Sequence, residues 1–334
     1  MNIKNNDRAP GIRIIYFIFL IFIVTVTLYF FFYFKIQKLT EKNLFTLKNE
    51  LHQKNISFTW ESINKSGFPY RIVNNLNNVK IKINNSELSI KNFSIIYQPW
   101  DLKHIFLKTS DQINIINKNN NIVILPEILA SIVIDKNNAK RISINFNGIS
   151  IKNDNYIHKI NKTELYFRES VEDNLQYFLK IEEIHYYPTF INTNSIRNLL
   201  INGKIMNHKN INLNNFHNWL SNEGGIDIED FKLNTNNIPI KGNAFLGIDE
   251  NLDIQSSISI ESEKFDDLAL FLRDKNLVSE DLFKSLIIII KAIELGAKTS
   301  NKIPKYSIGI QEGYLSLMGV KLLNIPRFNR LNFN

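Results

Sequence analysis

The sequence predicts a mainly β (α+β) fold, in which an N-terminal transmembrane helix is followed by an elongated, curved antiparallel β-sheet domain with a few packing helices. Three observations carry that reading. Residues 14–34 read IIYFIFLIFIVTVTLYFFFYF, 21 residues without a charge. Most of the chain beyond residue 55 alternates apolar and polar residues with a period of two, the mark of strands with one apolar face. A few stretches break that alternation with helical spacing.

The apolar run comes first. At about 1.5 Å per residue it covers roughly the 30 Å hydrocarbon core of a bilayer. A cleavable signal peptide has a shorter apolar core followed by small residues, whereas this run ends in the aromatic block Tyr29 to Phe34. The segment is therefore expected to stay as an anchor. Lys4, Arg8 and Arg13 precede it and Lys35, Lys38 and Lys42 follow, so flanking charge barely discriminates orientation. Residues 1–13 are too short for a domain, and long domains translocate largely regardless of charge. The expected topology is a cytoplasmic N-terminus, a single pass through the inner (cytoplasmic) membrane over 14–34, and a C-terminal domain in the periplasm. The alternative leaves that domain in the cytoplasm. Tyr29 and Tyr33 fall at the outer interface in the expected topology.

Residues 35–55 place Leu39, Leu44, Leu47 and Leu51 at spacings of three to five, which predicts a juxtamembrane helix. Residues 56–334 form the exported β-rich domain, read either as one unit or as two similar halves meeting near 190–215. The segments ISFTW, VKIKI, ELSIKNFSIIY, RISINFNGISI, LDIQSSISI and YSIGIQEGYLSL all alternate or nearly so. Three helices interrupt them. The longest follows Ser279 as its N-cap and carries Leu282, Phe283, Leu286, Ile287, Ile290 and Ile293 as an apolar stripe before Gly296. A partner is predicted over 265–277 and a shorter helix over 215–223, stopping at Gly224–Gly225.

Composition excludes more than it assigns. A net charge of +8 could suit phosphate-rich partners, but the basic residues are scattered and no nucleic-acid motif occurs, so no nucleic acid is expected. Cysteine is absent, which removes disulfides, thiolate metal sites and thiol nucleophiles. No phosphate loop, dinucleotide fingerprint, nucleophile elbow or HExxH helix is present. The six histidines, at 52, 104, 158, 185, 208 and 217, lie far apart, and the adjacent carboxylates Glu182–Glu183 and Asp266–Asp267 read as solvated charges. We expect no cofactor, no metal and no enzymatic activity.

The stretch NKSGFPYR at 64–71 stands out in a chain rich in Asn, Lys and Ile. Gly67 permits a positive φ, Pro69 fixes its own, and Phe68 is biased towards an extended conformation. The expected structure is a tight strand connection with Phe68 and Tyr70 packed beneath it. The sharper alternative makes Arg71 a head-group or partner contact.

GFPYR at 67–71, YQPWD at 97–101, NWLSNEGGIDIEDFKL at 218–233, KGNAFLGIDENLDIQSSISI at 241–260 and the closing GYLSLMGVKLLNIPRF at 313–328 together resemble the bacterial family called domain of unknown function 2125. The turn Gly67, Phe68, Pro69, Tyr70 and Arg71 and the ending Ile325–Pro326 look like signatures of that family. The resemblance implies a membrane-anchored envelope protein and nothing catalytic. A weaker similarity is to AsmA-type envelope proteins, in which long sheets curve into grooves that hold lipid.

Two functional readings follow. If the apolar face of the sheet curls without closing, it can bind or conduct phospholipid or another hydrophobic ligand, with Ile81, Ile83, Leu88, Ile90, Ile142, Ile144, Ile258 and Ile260 as candidate lining residues. The alternative is an envelope scaffold that contacts other envelope proteins through sheet edges or loops, without ligand.

Overall fold

In the computed structural model the described residues are 10–83, 86–109, 111, 113–116, 122–125, 127–135, 138–152, 157–170, 173–185, 195–211, 219, 222–235, 238–248, 254–274 and 278–324. Helix α1 (Pro10–Gln53) runs unbroken from the apolar segment through the juxtamembrane residues. Twenty strands follow: β1 (Ile56–Thr59), β2 (Ser62–Ser66), β3 (Ile72–Ile83), β4 (Ser86–Gln98), β5 (Asp101–Thr109), β6 (Ile113–Ile116) and β7 (Ile122–Leu125). Next come β8 (Ile128–Asp135), β9 (Asn138–Phe146), β10 (Ile149–Lys152), β11 (Ile157–Ile160), β12 (Thr163–Glu169), β13 (Leu175–His185) and β14 (Ser195–Met206). The last six are β15 (Gly225–Thr235), β16 (Ile238–Ile248), β17 (Ile254–Glu261), β18 (Lys305–Gln311), β19 (Tyr314–Leu317) and β20 (Val320–Asn324). Helices α2 (Phe265–Asp274) and α3 (Glu280–Thr299) lie between β17 and β18.

All twenty strands belong to one open antiparallel sheet. Five pairs of short strands, β1 with β2, β5 with β6, β7 with β8, β9 with β10 and β11 with β12, lie end to end and act as single broken strands. The sheet is therefore a meander of fifteen rungs, about 65–70 Å along the ladder at roughly 4.8 Å per step. Strand β14 is paired along both edges, with β13 and β15, so the sheet continues without a break through that region.

Each end of the sheet carries a helical cover on the same face. At the first end, the α1 side chains turned inward recur at Tyr33, Thr40 and Leu44, with Ile36 and Leu51 partly covered, a helical stripe laid along β3. They pack on Ile72, Leu76, Val79, Ile90 and Ile95. The buried Asn74 amide donates to Thr40 Oγ1 at 3.1 Å, and Thr40 donates to Gln37 O. Leu39 and Leu47, two of the four leucines expected to mark this helix, instead face outward.

At the other end Ser279 caps α3, its side chain accepting from Leu282 N at 3.3 Å. Phe283, Leu286 and Ile290 are buried against Phe265 and Ala269 of α2 and against Tyr306 and Leu317 of the sheet. The helix passes through Gly296, where the sequence suggested it would end, and stops after Thr299. The left-handed residue there is Asn301, at φ 51°, while Gly296 remains helical. Helix α2 ends at Asp274 and residues 275–277 lie outside the described part, as does the 215–223 stretch apart from Trp219 and the turn after it.

Tyr306 stacks on Phe265 at a ring separation of 4.0 Å, and burial, with the charges of Glu294 and Asp266 adding to it, pushes its phenol up to about 12. Its hydroxyl is buried without a hydrogen-bond partner among the described residues. An unpartnered buried hydroxyl costs stability, so Tyr306→Phe is expected to raise the stability of the folded protein by about 1 kcal/mol. Thermal denaturation of the two proteins side by side measures this.

Candidate functional site

Strand register places the same kind of residue on one face of nearly every rung. From Ile72 and Leu76 on β3 the apolar face passes to Phe93, Ile95 and Tyr97 on β4, then to Ile105 and Leu107 on β5 and Ala130 and Ile132 on β8. It continues through Ile142 and Ile144 on β9, Leu165 and Phe167 on β12, and Tyr177, Leu179 and Ile181 on β13. Leu199, Ile201 and Ile205 on β14 lead to Ile226, Ile228 and Phe231 on β15, Ala244 on β16, and Ile258 and Ile260 on β17. The opposite face is mostly polar, although Phe106, Phe178, Leu200 and Phe245 also lie on it. Directly opposed residues there make ion pairs, Glu164 with Lys180 at 3.8 Å, Lys204 with Asp227 at 3.5 Å, and Lys241 with Glu261 at 2.7 Å.

The apolar face survives a systematic slip in the period of two. On β3 the inward residues step 72, 74, 76, then 79, 81, 83, and the same three-residue step occurs from Ile90 to Phe93, Phe146 to Ile149, Ile160 to Thr163, Ile181 to Ile184 and Ile196 to Leu199. The extra residue is a left-handed Asn at Asn78 and Asn198, falls at a strand break between Phe146 and Ile149 and between Ile160 and Thr163, and lies within a continuous strand from Ile90 to Phe93 and from Ile181 to Ile184. Because the register is continuous, these slips align from rung to rung into a crease across the sheet. Every residue of the apolar face from Thr163 to Phe167 and from Leu175 to Ile184 is buried or half-buried, while Tyr166, Arg168 and Gln176 on the other face are exposed. On that other face Glu164, Phe178 and Lys180 are half-buried as well, and no described helix lies above these rungs.

The two helical covers stop short of the middle. The packing around α1 reaches Ile128, and the packing around α2 and α3 begins at Ile260. Between them Ile132, Ile142, Ile144, Leu165, Phe167, Leu179 and Ile201 belong to neither cluster and are half-buried. All eight candidate lining residues fall on this face, but in different settings. Ile90 is buried and Ile81 and Leu88 are partly buried in the α1 core, Ile260 packs beside α2 and α3, and Ile83 is exposed at a strand end. Ile142, Ile144 and Ile258 lie on the uncovered stretch. Leu165, Phe167, Leu179, Ile201 and Ile228 were missed, and the signal that finds them is the step of three within a run of twos.

A charged corner closes one end of the middle rungs. Glu169, at the end of β12, meets Lys140 at 3.0 Å and Lys209 at 3.4 Å, and Lys209 also pairs with Asp173. His208 Nδ1 lies 2.6 Å from Asp173 O. Contact with the Lys140 ammonium, reinforced by Lys209, holds the Glu169 carboxyl below its ordinary 4.5 despite partial burial, and Lys209 likewise holds Asp173 below 3.8. Asp173, with Glu169, pushes Lys209 above 10.5. Depressed carboxylates contribute stability that is present above their unfolded values and lost as pH falls through the folded ones, and the raised lysine contributes below 10.5. The corner is therefore expected to hold between about pH 5 and 10 and to weaken below about pH 4. Melting temperature followed against pH checks this, and Glu169→Gln should flatten part of the acid limb.

The remaining sequence candidates are placed as follows. His104 Nε2 lies 2.7 Å from Ser131 Oγ on the polar face, and His185 Nε2 pairs with Glu183 at 3.0 Å. His52 is exposed, while residue 217 lies outside the described part. Glu183 also binds Arg197 at 2.9 Å, and Asp266 and Asp267 occupy the first turn of α2, where the helix dipole favours them. Among the described residues no three of His, Asp and Glu gather in a way that could hold a metal ion.

The turn at 67–71 is a strand connection, between β2 and β3, as expected. Gly67 has φ +100°, and a methyl there would lie 2.5 Å from Arg71 O. Phe68 and Tyr70 are not packed beneath the turn, however, since they are 46% and 73% exposed. The turn leans instead on α1, which accounts for the difference. Phe68 meets the rings of Phe30 at 4.6 Å and Tyr33 at 5.0 Å, Tyr33 donates to Arg71 O at 3.0 Å, and Tyr29 donates to Pro69 O.

Helix α1 is the one described helix long and apolar enough to cross a membrane, and its residues 14–28 are exposed, with no described residue covering them. No curated protein and no solved structure matches this chain. The family described as an uncharacterized protein conserved in bacteria, DUF2125, matches residues 40–326, from the juxtamembrane part of α1 through the last strand. The chain belongs to the DUF2125 family.

Proposed function

We propose that this protein is a single-pass protein of the cytoplasmic membrane, with its sheet in the periplasm, and that the uncovered middle of the apolar face holds or conducts phospholipid acyl chains. The observation that carries the reading is the half-buried run Ile142, Ile144, Leu165, Phe167, Leu179 and Ile201, continuous on one apolar face and outside both helical covers. A soluble domain seldom leaves so long an apolar surface without an occupant. An acyl chain drawn from a bilayer into water loses about 0.8 kcal/mol per methylene, and an apolar trough restores it. Exchange between membrane and trough is then near balance. The juxtamembrane part of α1 covers the first rungs of the face, and the uncovered stretch begins beyond them. No bond chemistry is assigned to the protein, and envelope proteins remain partners under the scaffold alternative.

Native mass spectrometry of the full-length protein, with its detergent micelle stripped in the gas phase and its lipids extracted in parallel, tests this. Retained phospholipid in defined stoichiometry supports the reading. A bare protein would favour the ligand-free scaffold.

A further inference from the structure

We infer that the turn Ser66–Arg71, together with Trp100, is a second membrane contact that seats the first rungs of the sheet in the same leaflet where α1 leaves the bilayer. The inference rests on the reading of α1 as a membrane span. Phe68 and Pro69 touch Phe30 and Tyr29, which lie within the charge-free run that ends at Phe34. Tyr29 is five residues inside that end, about 7 Å along the helix axis. A turn bonded to Tyr29 must therefore sit at the depth of the lipid glycerol and upper acyl region, and not in bulk water.

The side chains suit that depth. Tyr70 is 73% exposed and Trp100 64% exposed on the folded chain. Tyr and Trp are the residues that concentrate at membrane interfaces, where an apolar ring body and a polar edge are both accommodated. Trp100 comes from a different connection, between β4 and β5, but register brings it alongside, because Tyr97 at the end of β4 pairs with Ile72 at the start of β3. Two adjacent strand connections thus present aromatic residues at the same edge of the sheet. Arg71, Lys35 and Lys38 are exposed close by and can reach lipid phosphates from the aqueous side.

The partner this surface fits is the phospholipid interface itself. Seating at two points, helix and turn, fixes the orientation of the sheet on the membrane, which a single flexible anchor does not.

The chain has no cysteine, so single labels are clean. Full-length Tyr70→Cys, Trp100→Cys, Val24→Cys and Lys54→Cys, each carrying a nitroxide, are reconstituted into vesicles of phosphatidylethanolamine and phosphatidylglycerol. Relaxation by oxygen and by a water-soluble nickel chelate then reports depth. The expected result is that labels at 70 and 100 are shielded from nickel and reached by oxygen, as at 24, while the label at 54 is open to nickel. Nickel access at 70 or 100 with 24 still shielded overturns the seat and leaves the span intact. Nickel access at 24 overturns the span, and the seat with it. Circular dichroism that matches the parent protein establishes that each labelled chain is folded.

Discussion

Gly242→Ala is expected to destabilise the protein more than any other single methyl added to the sheet, by about 3–4 kcal/mol. Gly242 sits on the apolar face of β16, next to the point where the β15–β16 register shifts between Ile228 and Phe231. A Cβ built there lies 1.9 Å from Ser259 O and 2.9 Å from the Phe231 ring. The first of these is backbone on the neighbouring strand, so no side-chain rotation relieves it. The sheet must open at a rung where β16 pairs on both edges, or the shift must move and turn its neighbours to the other face. Gly296, with nothing within 4 Å of its would-be Cβ, is the control, because Gly296→Ala should leave stability unchanged or improve it by about 1 kcal/mol through helix propensity. Chemical denaturation in detergent measures both. A Gly242→Ala protein as stable as its parent would contradict the close approach of β16 and β17.

The second large effect is on the proposed ligand. Ile144→Asp places a carboxylate in the centre of the uncovered stretch, between Ala130 on β8 and Leu165 on β12. With the trough empty, water reaches the side chain from the open side, and the protein should fold. With an acyl chain in place the carboxylate is desolvated without a partner, a penalty large enough to lower lipid occupancy by at least tenfold. The expected result is a lipid-poor protein whose melting temperature after delipidation matches that of the delipidated parent. The lipid-loaded parent should melt higher than either, because a ligand that binds only the folded state stabilises it. Equal occupancy in the two proteins would remove the apolar face from the lipid account.

Much of the architecture was legible because local pattern and tertiary role agree. The uncharged run 14–34 reads as a span and not as a cleavable signal peptide, and no described residue covers residues 14–28. The six alternating segments fall on strands over their described residues, and Ser279 caps the helix it precedes. What the pattern hid has particular physical causes. Asn78 and Asn198 look like compositional noise in an Asn-rich chain, yet both adopt the left-handed conformation that Asn tolerates, and each shifts the alternation by one residue. Read with a strict period of two, Ile72 and Ile81 fall on opposite faces; read with the slip, they share one. Strand order resolves this, since the slip acquires meaning only when six rungs align it into a crease.

The opening turn was legible in kind and not in setting. Gly67 at φ +100° connects two strands as its residue type predicts, but Phe68 and Tyr70 were expected to be packed beneath the turn. A turn signature carries no information about what lies outside it. Here the neighbour is α1, more than thirty residues earlier, through Tyr29 and Tyr33. Likewise Glu169 and Lys209, forty residues apart, meet because β12, β13 and β14 bring their ends together, a pairing no local spacing shows.

The central claim is that lipid lies on one face of the middle rungs, and site-specific photo-crosslinking in the intact membrane tests it most directly. A benzophenone residue is placed in turn at Ile142, Ile144, Leu179 and Ile201 on the apolar face and at Ser143, Lys180 and Asn202 on the polar face, in cells whose phospholipids carry radioactive phosphate. The account predicts labelled adducts at the first four positions and none at the other three, an alternation that follows the pleat. Adducts absent from the apolar positions, or equal on both faces, would contradict it.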